Sequence, residues 1–405
     1  MKKTLVALAA LAATASFAQS SVTIYGNLDL GTYQSKTNGH SVLTAASNSG
    51  TTSLWGISGV EDLGGGTKAS FDLKSEINML SGNTGSASTG IAGTNTATAS
   101  LFNRGANMDL SNAALGSVKI GRQNDAWWES QGALNTSGLN SFGFGNMTAA
   151  QTTVVNTGYG NPLNGNLVAA ATAGNSGGLS YLGTATSTTL ANGITNPTYQ
   201  GVGNAFIGGV SYTAPTFYGV TAKVQSTAGK VSYVDGLSYD AGGAYSLNYA
   251  AGPLKLVYAY NFRNDYNGDT AMTNTAIGGT YTMGAYTFIA AQNKAKYKAT
   301  AIAFNDTTAT GLGVSYAMSG ALTLNLSWAQ LKDDEVTTNK ATTTAVTARY
   351  NLSKRTQIYG GYGSNKNEGL SRVTPVYGGA SAPAADATYN GQTVSALLFG
   401  LRHQF

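Results

Sequence analysis

The chain has 405 residues, of which only 10% are charged, against about 25% in ordinary soluble domains. It holds 53 Gly, 23 Tyr, 6 Pro and no Cys, a mixture suited to many short strands and turns and one that excludes disulfides and thiol chemistry. The net charge is +5, part of it from Lys2 and Lys3 at the N-terminus, too small an excess to point to nucleic acid as a partner.

Residues 1–18 read as a secretory signal peptide. Lys2 and Lys3 form the positive start, Leu5 to Ala13 the apolar run, and Ser16-Phe17-Ala18 a cleavage site before Gln19. The apolar run is too short to span a bilayer, and no later run reaches about 18 apolar residues, so no transmembrane helix is expected.

From Val22 onward apolar and polar residues alternate with the period of a strand. Val22, Ile24, Leu28 and Leu30 share one face of the first strand; Thr23, Tyr25, Asn27 and Asp29 share the other. A second strand over 54–60 meets a tight turn at Glu61-Asp62-Leu63-Gly64-Gly65-Gly66. The chain returns with Phe71 and Leu73 on one face and Lys68, Asp72, Lys74 and Glu76 on the other. Charges opposite an apolar face suit a wet lumen behind a lipid-facing wall.

Further strands are expected near 101–111, 115–122, 204–214, 217–226, 240–250, 253–264, 273–283, 285–296, 310–319, 321–332, 343–351, 355–365 and 394–405, sixteen in all. Short connections (Ala251-Gly252-Pro253, Met283-Gly284) alternate with long Gly-, Ser- and Asn-rich ones at 34–50, 80–100, 123–203 and 366–391. The stretch 123–203 is long for one loop and is expected to hold structure of its own. In the last strand Leu397, Phe399, Leu401, His403 and Phe405 share the more apolar face. A free last strand leaves an open edge, which lipid does not tolerate, so it is expected to pair with the first and close a barrel at Phe405. The fold class is therefore all-β: a 16-stranded antiparallel transmembrane β-barrel over 19–405, wide enough for an aqueous channel.

Ser21-Val22-Thr23-Ile24-Tyr25-Gly26, Glu61 to Gly66, Leu101-Phe102-Asn103-Arg104, Gly121-Arg122-Gln123 and Gly400-Leu401-Arg402-His403-Gln404-Phe405 together resemble, in order and spacing, Gram-negative general porins of the betaproteobacterial type. The resemblance implies an outer-membrane homotrimer, the third outer loop of each barrel folded into its lumen. It also implies a terminal Phe405 read by the barrel-assembly machinery, lipopolysaccharide around the barrel and no cofactor. Arg104 matches the family's wall arginine. The chain departs where Leu54, Ser58 and Gly203-Asn204 stand in place of basic residues, and Lys74 in place of a common acid. That basic ladder is thinned, so a strong anion preference is not carried over.

A pore selects by radius and by fixed charge at its narrowest point. The candidate constriction loop is 123–147. Asp125 and Glu129 are candidates for the negative side of a transverse field, with Lys74, Arg104 and Arg122 opposite. Asp125 also suits a loop cap, and Arg122 a pin at the loop's root. Trp127 and Trp128 either narrow the opening or anchor the loop to the wall.

Three functions compete. The first is passive diffusion of small hydrophilic solutes and ions. The second is a substrate-specific porin with Trp127, Trp128 and Tyr25 as a stacking track. The third is a barrel enzyme, but His40 lies in a polar loop and His403 on the lipid-side register, neither placed as a general base. Asp265-Tyr266-Asn267-Gly268-Asp269 only partly matches a calcium loop. Asp333-Asp334-Glu335 reads as a solvated outer-loop run, with divalent bridging to lipopolysaccharide as the alternative.

Overall fold

Side chains alternate across a strand, so a sheet with one apolar face must hide that face or present it to lipid. Here it is presented. Val22 and Ile24 are 67% and 66% exposed, and Met108, Ile277, Val346 and Phe399 stand on the same outward register. The computed structural model describes residues 21–37, 39–84, 101–153, 207–227, 230–232, 238–240, 242–264, 270–297, 306–369, 371, 373 and 391–405. The expected leader and the loop Asp265 to Asp269 lie outside these residues.

The strands are, in chain order, β1 (Ser21–Thr37), β2 (His40–Ser47), β3 (Leu54–Gly64), β4 (Thr67–Glu76), β5 (Gly105–Asn112), β6 (Gly116–Gln123), β7 (Ile207–Thr213), β8 (Val220–Thr227), β9 (Lys230–Ser232), β10 (Ser238–Asp240), β11 (Gly242–Ala251), β12 (Leu254–Asn264), β13 (Thr270–Met283), β14 (Tyr286–Tyr297), β15 (Thr307–Ala317), β16 (Leu322–Asp333), β17 (Lys340–Asn351), β18 (Thr356–Glu368) and β19 (Thr393–Gln404). Helices α1 (Ala126–Ala133) and α2 (Gly143–Thr153) follow β6. Strands β9 and β10 pair only with each other; the other seventeen form one antiparallel sheet that closes on itself.

The first two staves differ from the sequence expectation. β1 is longer than expected and pairs twice on one side: Ser21 to Asn27 with β3, Leu30 to Thr37 with β2. β2 and β3 share one position in the wall, so seventeen strands make sixteen staves. The stretch expected as loop 34–50 is thus largely strand, and residues 48–53 break the stave and turn inward, burying Asn48, Ser49 and Ser53.

Closure is antiparallel between β1 and β19, from Asn27↔Gln404 to Thr37↔Val394. Phe405 adds a last pair, exchanging two backbone hydrogen bonds of 3.1 Å with Gly26. Its ring lies over Gly26, where any Cβ would collide with the ring and with the Leu54 carbonyl. Ser21 and Phe405 both lie toward the short-turn end. One of those turns runs through Gly64, Gly65 and Gly66 at φ of 83°, 59° and 75°, a left-handed run that side chains resist. No helix among the described residues is long and apolar enough to cross a membrane.

Candidate pore constriction

The segment after β6 folds into the barrel as a strap. It starts at Asp125, whose carboxylate accepts the Trp128 backbone N–H at 2.6 Å and so caps α1. The other oxygen of Asp125 accepts from Asn261 at 2.8 Å, and the residue is 2% exposed. Trp127 is fully buried against Ala259 and Ala276 and donates its ring N–H to Asn293 at 2.8 Å. Trp128 packs beside it, half-buried. The charge of Asp125 and the face of Trp127 are therefore turned into the wall, away from a passing solute. Glu129 does reach the open side, 43% exposed, and its carboxylate accepts from Lys223 of β8 at 2.8 Å.

Beyond α1 the strap crosses β13 to β18. Leu134, Phe144 and Met147 pack on Ala291, Ala309, Ala329 and Leu331. Leu139 and Phe142 pack on Tyr33, Ala345, Ala396 and Leu398. The wall is cut away to receive them. A Cβ on Gly311 would meet Phe144, one on Gly363 would meet Phe142, and one on Gly313 would meet Thr136, all closer than atoms approach. Polar clips complete the seat: Thr347 donates to the Ser137 carbonyl at 2.7 Å and accepts from Asn325 at 3.1 Å.

The tip of the strap is clasped by the inward break in the second stave. Asn140 N–H donates to the Gly50 carbonyl at 3.2 Å, and Ser141 Oγ to the Ser49 carbonyl at 2.7 Å. Ser141 also bonds Tyr33. The break is itself held by Asp29, which accepts from the Gly50 and Thr51 N–H groups at 3.0 and 3.2 Å and from the Tyr359 hydroxyl at 2.7 Å.

Strap side chains pack on the inner wall from β8 round to β1. The rest of the inner wall is that of β3 to β7. Lys74 points inward there, 2.7 Å from Asp72 and 36% exposed. Asp72 also accepts from Tyr25. Arg104, just before β5, pairs with Glu76 and keeps only 12% of its side-chain exposure. Glu76 accepts from Asn48 at 2.8 Å as well, linking this pair to the clasp. Lys119 stands across the strand pair from Asp109. Arg122 is the register partner of Ala106 and donates from Nε to the Asn103 carbonyl at 2.7 Å. It ties the strap's root to the β4–β5 connection.

The structure thus brings Lys74, Arg104 and Glu129 to the lumen and places Asp125, Trp127 and Arg122 in the strap's mounting. The sequence reading missed the clasp at 48–53, Lys223, Arg349 beneath Gly138, and the wall amides Asn261, Asn293 and Asn325. Asparagine is depleted in strands, so its recurrence on the inward register was the available signal. Asp333 is buried and accepts from the Glu335 and Val336 N–H groups, while Asp334 lies 3.6 Å from both Lys294 and Lys332. No cluster of metal-ligating side chains occurs among the described residues.

The model of the Gram-negative porin family matches residues 4–370. Outer membrane porin protein 32 of Delftia acidovorans is 29% identical over the full length of both chains. An outer membrane porin protein of Bordetella pertussis is 28% identical over 90% of this chain and 94% of its own. Among solved structures, the anion-selective porin from Comamonas acidovorans superposes with a TM-score of 0.66 at 23% identity, covering 96% of this chain and all of that one. The trimer form of OmpT from Vibrio cholerae gives 0.56 at 12% identity, covering 95% and 99%. The superpositions carry the likeness of the barrel fold and the family model covers most of the sequence, so the chain belongs to the Gram-negative porin family as a channel of the outer membrane.

Proposed function

We propose that the strap, residues 123–147, is the constriction of a general diffusion channel and that solutes cross between it and the wall of β3 to β7. The observation that carries this reading is the two-sided mounting: Trp127 and the wall glycines on one side, the clasp at Ser49 and Gly50 on the other. Small hydrophilic solutes and ions pass without a covalent step, a cofactor or a catalytic residue. Liposome swelling with sugars of increasing size tests this. Rates linear in concentration and falling steeply with solute size are expected; saturation for one solute class contradicts it and favours a substrate-specific porin.

The field across the gap is weak in this reading. Lys74, Arg104 and Lys223 each have a carboxylate beside them, Asp72, Glu76 and Glu129. Charge pairs partly cancel as seen by an ion a few ångströms away. The thinned basic ladder therefore separates this channel from a strongly anion-selective one.

Residues 1–18 serve as the exported protein's signal peptide. The barrel functions as a homotrimer, as the trimeric neighbour supports, in contact with lipopolysaccharide. Phe405, exposed at the seam, is read by the assembly machinery before closure.

A further inference from the structure

Beneath the strap, on the inner wall of β16 to β19, lies a cationic patch outside the proposed gap. Arg349 follows Thr347 by two residues on β17, so it stands on the same inward face, one step nearer the short turns. Thr347 is clipped to the Ser137 carbonyl, and Gly138 sits directly on the Arg349 guanidinium. A Cβ on Gly138 would lie 3.0 Å from the central guanidinium carbon and 3.1 Å from Nε and Nη2. Nε is buried and has no hydrogen-bond partner among the described residues. The charge that acts on Arg349 is that of another cation, Arg402.

Arg349 stands across from Thr323 on β16 and Tyr359 on β18. Arg402 of β19 lies one inward row lower, between Gln357 and Asp29. Asp29 is the side-chain carboxylate of these rows. It is fully buried and already accepts from the Gly50 and Thr51 N–H groups and from the Tyr359 hydroxyl. The acidic side chains on the strands from β14 to β19 are Asp333 and Glu368, both at long-loop ends. The turn after β17 adds exposed Lys354 and Arg355. The terminal carboxylate of Phe405 lies further down, at the end of the seam.

We propose that Arg349, with Arg402 below it, forms an oxyanion site at the short-turn mouth of the pore, holding one carboxylate or phosphate of a passing solute beneath the strap. Two guanidinium groups beside one saturated carboxylate leave positive charge uncompensated, and a partly buried charge without a partner is costly. An oxyanion relieves that cost. The guanidinium is a planar fork that meets a carboxylate or a phosphate with two parallel hydrogen bonds. A concave wall of one sign also gathers counter-ions before they bind. The site adds a stop on the route proposed above and leaves the paired charges of the gap as they are; an uncharged sugar is not held there.

The test is single-channel recording of the purified full-length protein in potassium chloride, with sodium pyrophosphate or sodium succinate added to one side or the other. Both anions are expected to reduce the current, more strongly from the short-turn side. Block by pyrophosphate alone assigns the site to phosphates and block by succinate alone to carboxylates; either supports it. Arg349→Gln is expected to raise the half-blocking concentration about tenfold. Thr323→Asp sets a carboxylate across from Arg349 while Arg349 stays under Gly138, and the same rise is expected with the unblocked current unchanged. Equal block in wild type and both variants overturns the proposal. So does a larger unblocked current in Arg349→Gln with undiminished block in Thr323→Asp, which makes Arg349 a prop for the strap and nothing more. The unblocked steps report on the pore itself, so their persistence leaves the pore reading standing whichever way the block falls.

Discussion

Trp127 is the largest fully buried side chain among the described residues. Its indole is enclosed by Ala259 and Ala276 and its one polar atom is satisfied by Asn293. Removing a buried aromatic of this size costs about 3–5 kcal/mol. Trp127→Ala is therefore expected to release the first turn of the strap and give larger, noisier single-channel steps, with the barrel still formed. The Arg104–Glu76 pair behaves differently, because both partners are nearly buried. Breaking such a pair from one side costs about 3 kcal/mol or more, while replacing both partners costs less. Glu76→Gln should lower the heat resistance of the folded barrel, and Glu76→Gln with Arg104→Met should recover part of the loss in the same melting assay. Residue roles of this kind were only partly legible. Asp125 and the tryptophans stood out by composition, but which way a loop side chain points is set by the wall it meets, tens to hundreds of residues away.

At the scale of elements, the strands were legible and the mounting of the strap was not. Alternation with period two is a local property, so β12, β16 and β19 follow directly from Leu254 to Phe262, Leu322 to Trp328 and Leu397 to Phe405. The double pairing of β1 depends instead on Asn48 adopting φ of 68° and on six residues turning inward, which a Gly-, Ser- and Asn-rich run disguises as ordinary loop. The wall glycines were visible as composition and unreadable as function until Phe142 and Phe144 were seen against them. They lead to a compensation test. Gly311→Val should push Phe144 off the wall and expose the strap to limited proteolysis; adding Phe144→Ala should restore much of the protection. Equal protection of wild type and Gly311→Val would mean the glycine is incidental.

For the molecule as a whole, the sixteen staves separate two solvents, lipid outside and water within, and the strap packs its side chains on the inner wall from β8 to β1. The proposed bore lies against β3 to β7. Charge along that gap is largely paired, so a tenfold salt gradient should give a reversal potential well below the ideal value for a perfectly selective pore, of either sign. A near-ideal potential would show that the pairs act as separate charges. The most direct measurement is single-channel conductance of the purified protein in planar bilayers over a range of salt concentrations. Discrete steps whose size rises in proportion to bulk conductivity are the result this account predicts; no steps, or steps that saturate at low salt, would contradict a water-filled passage beside the strap.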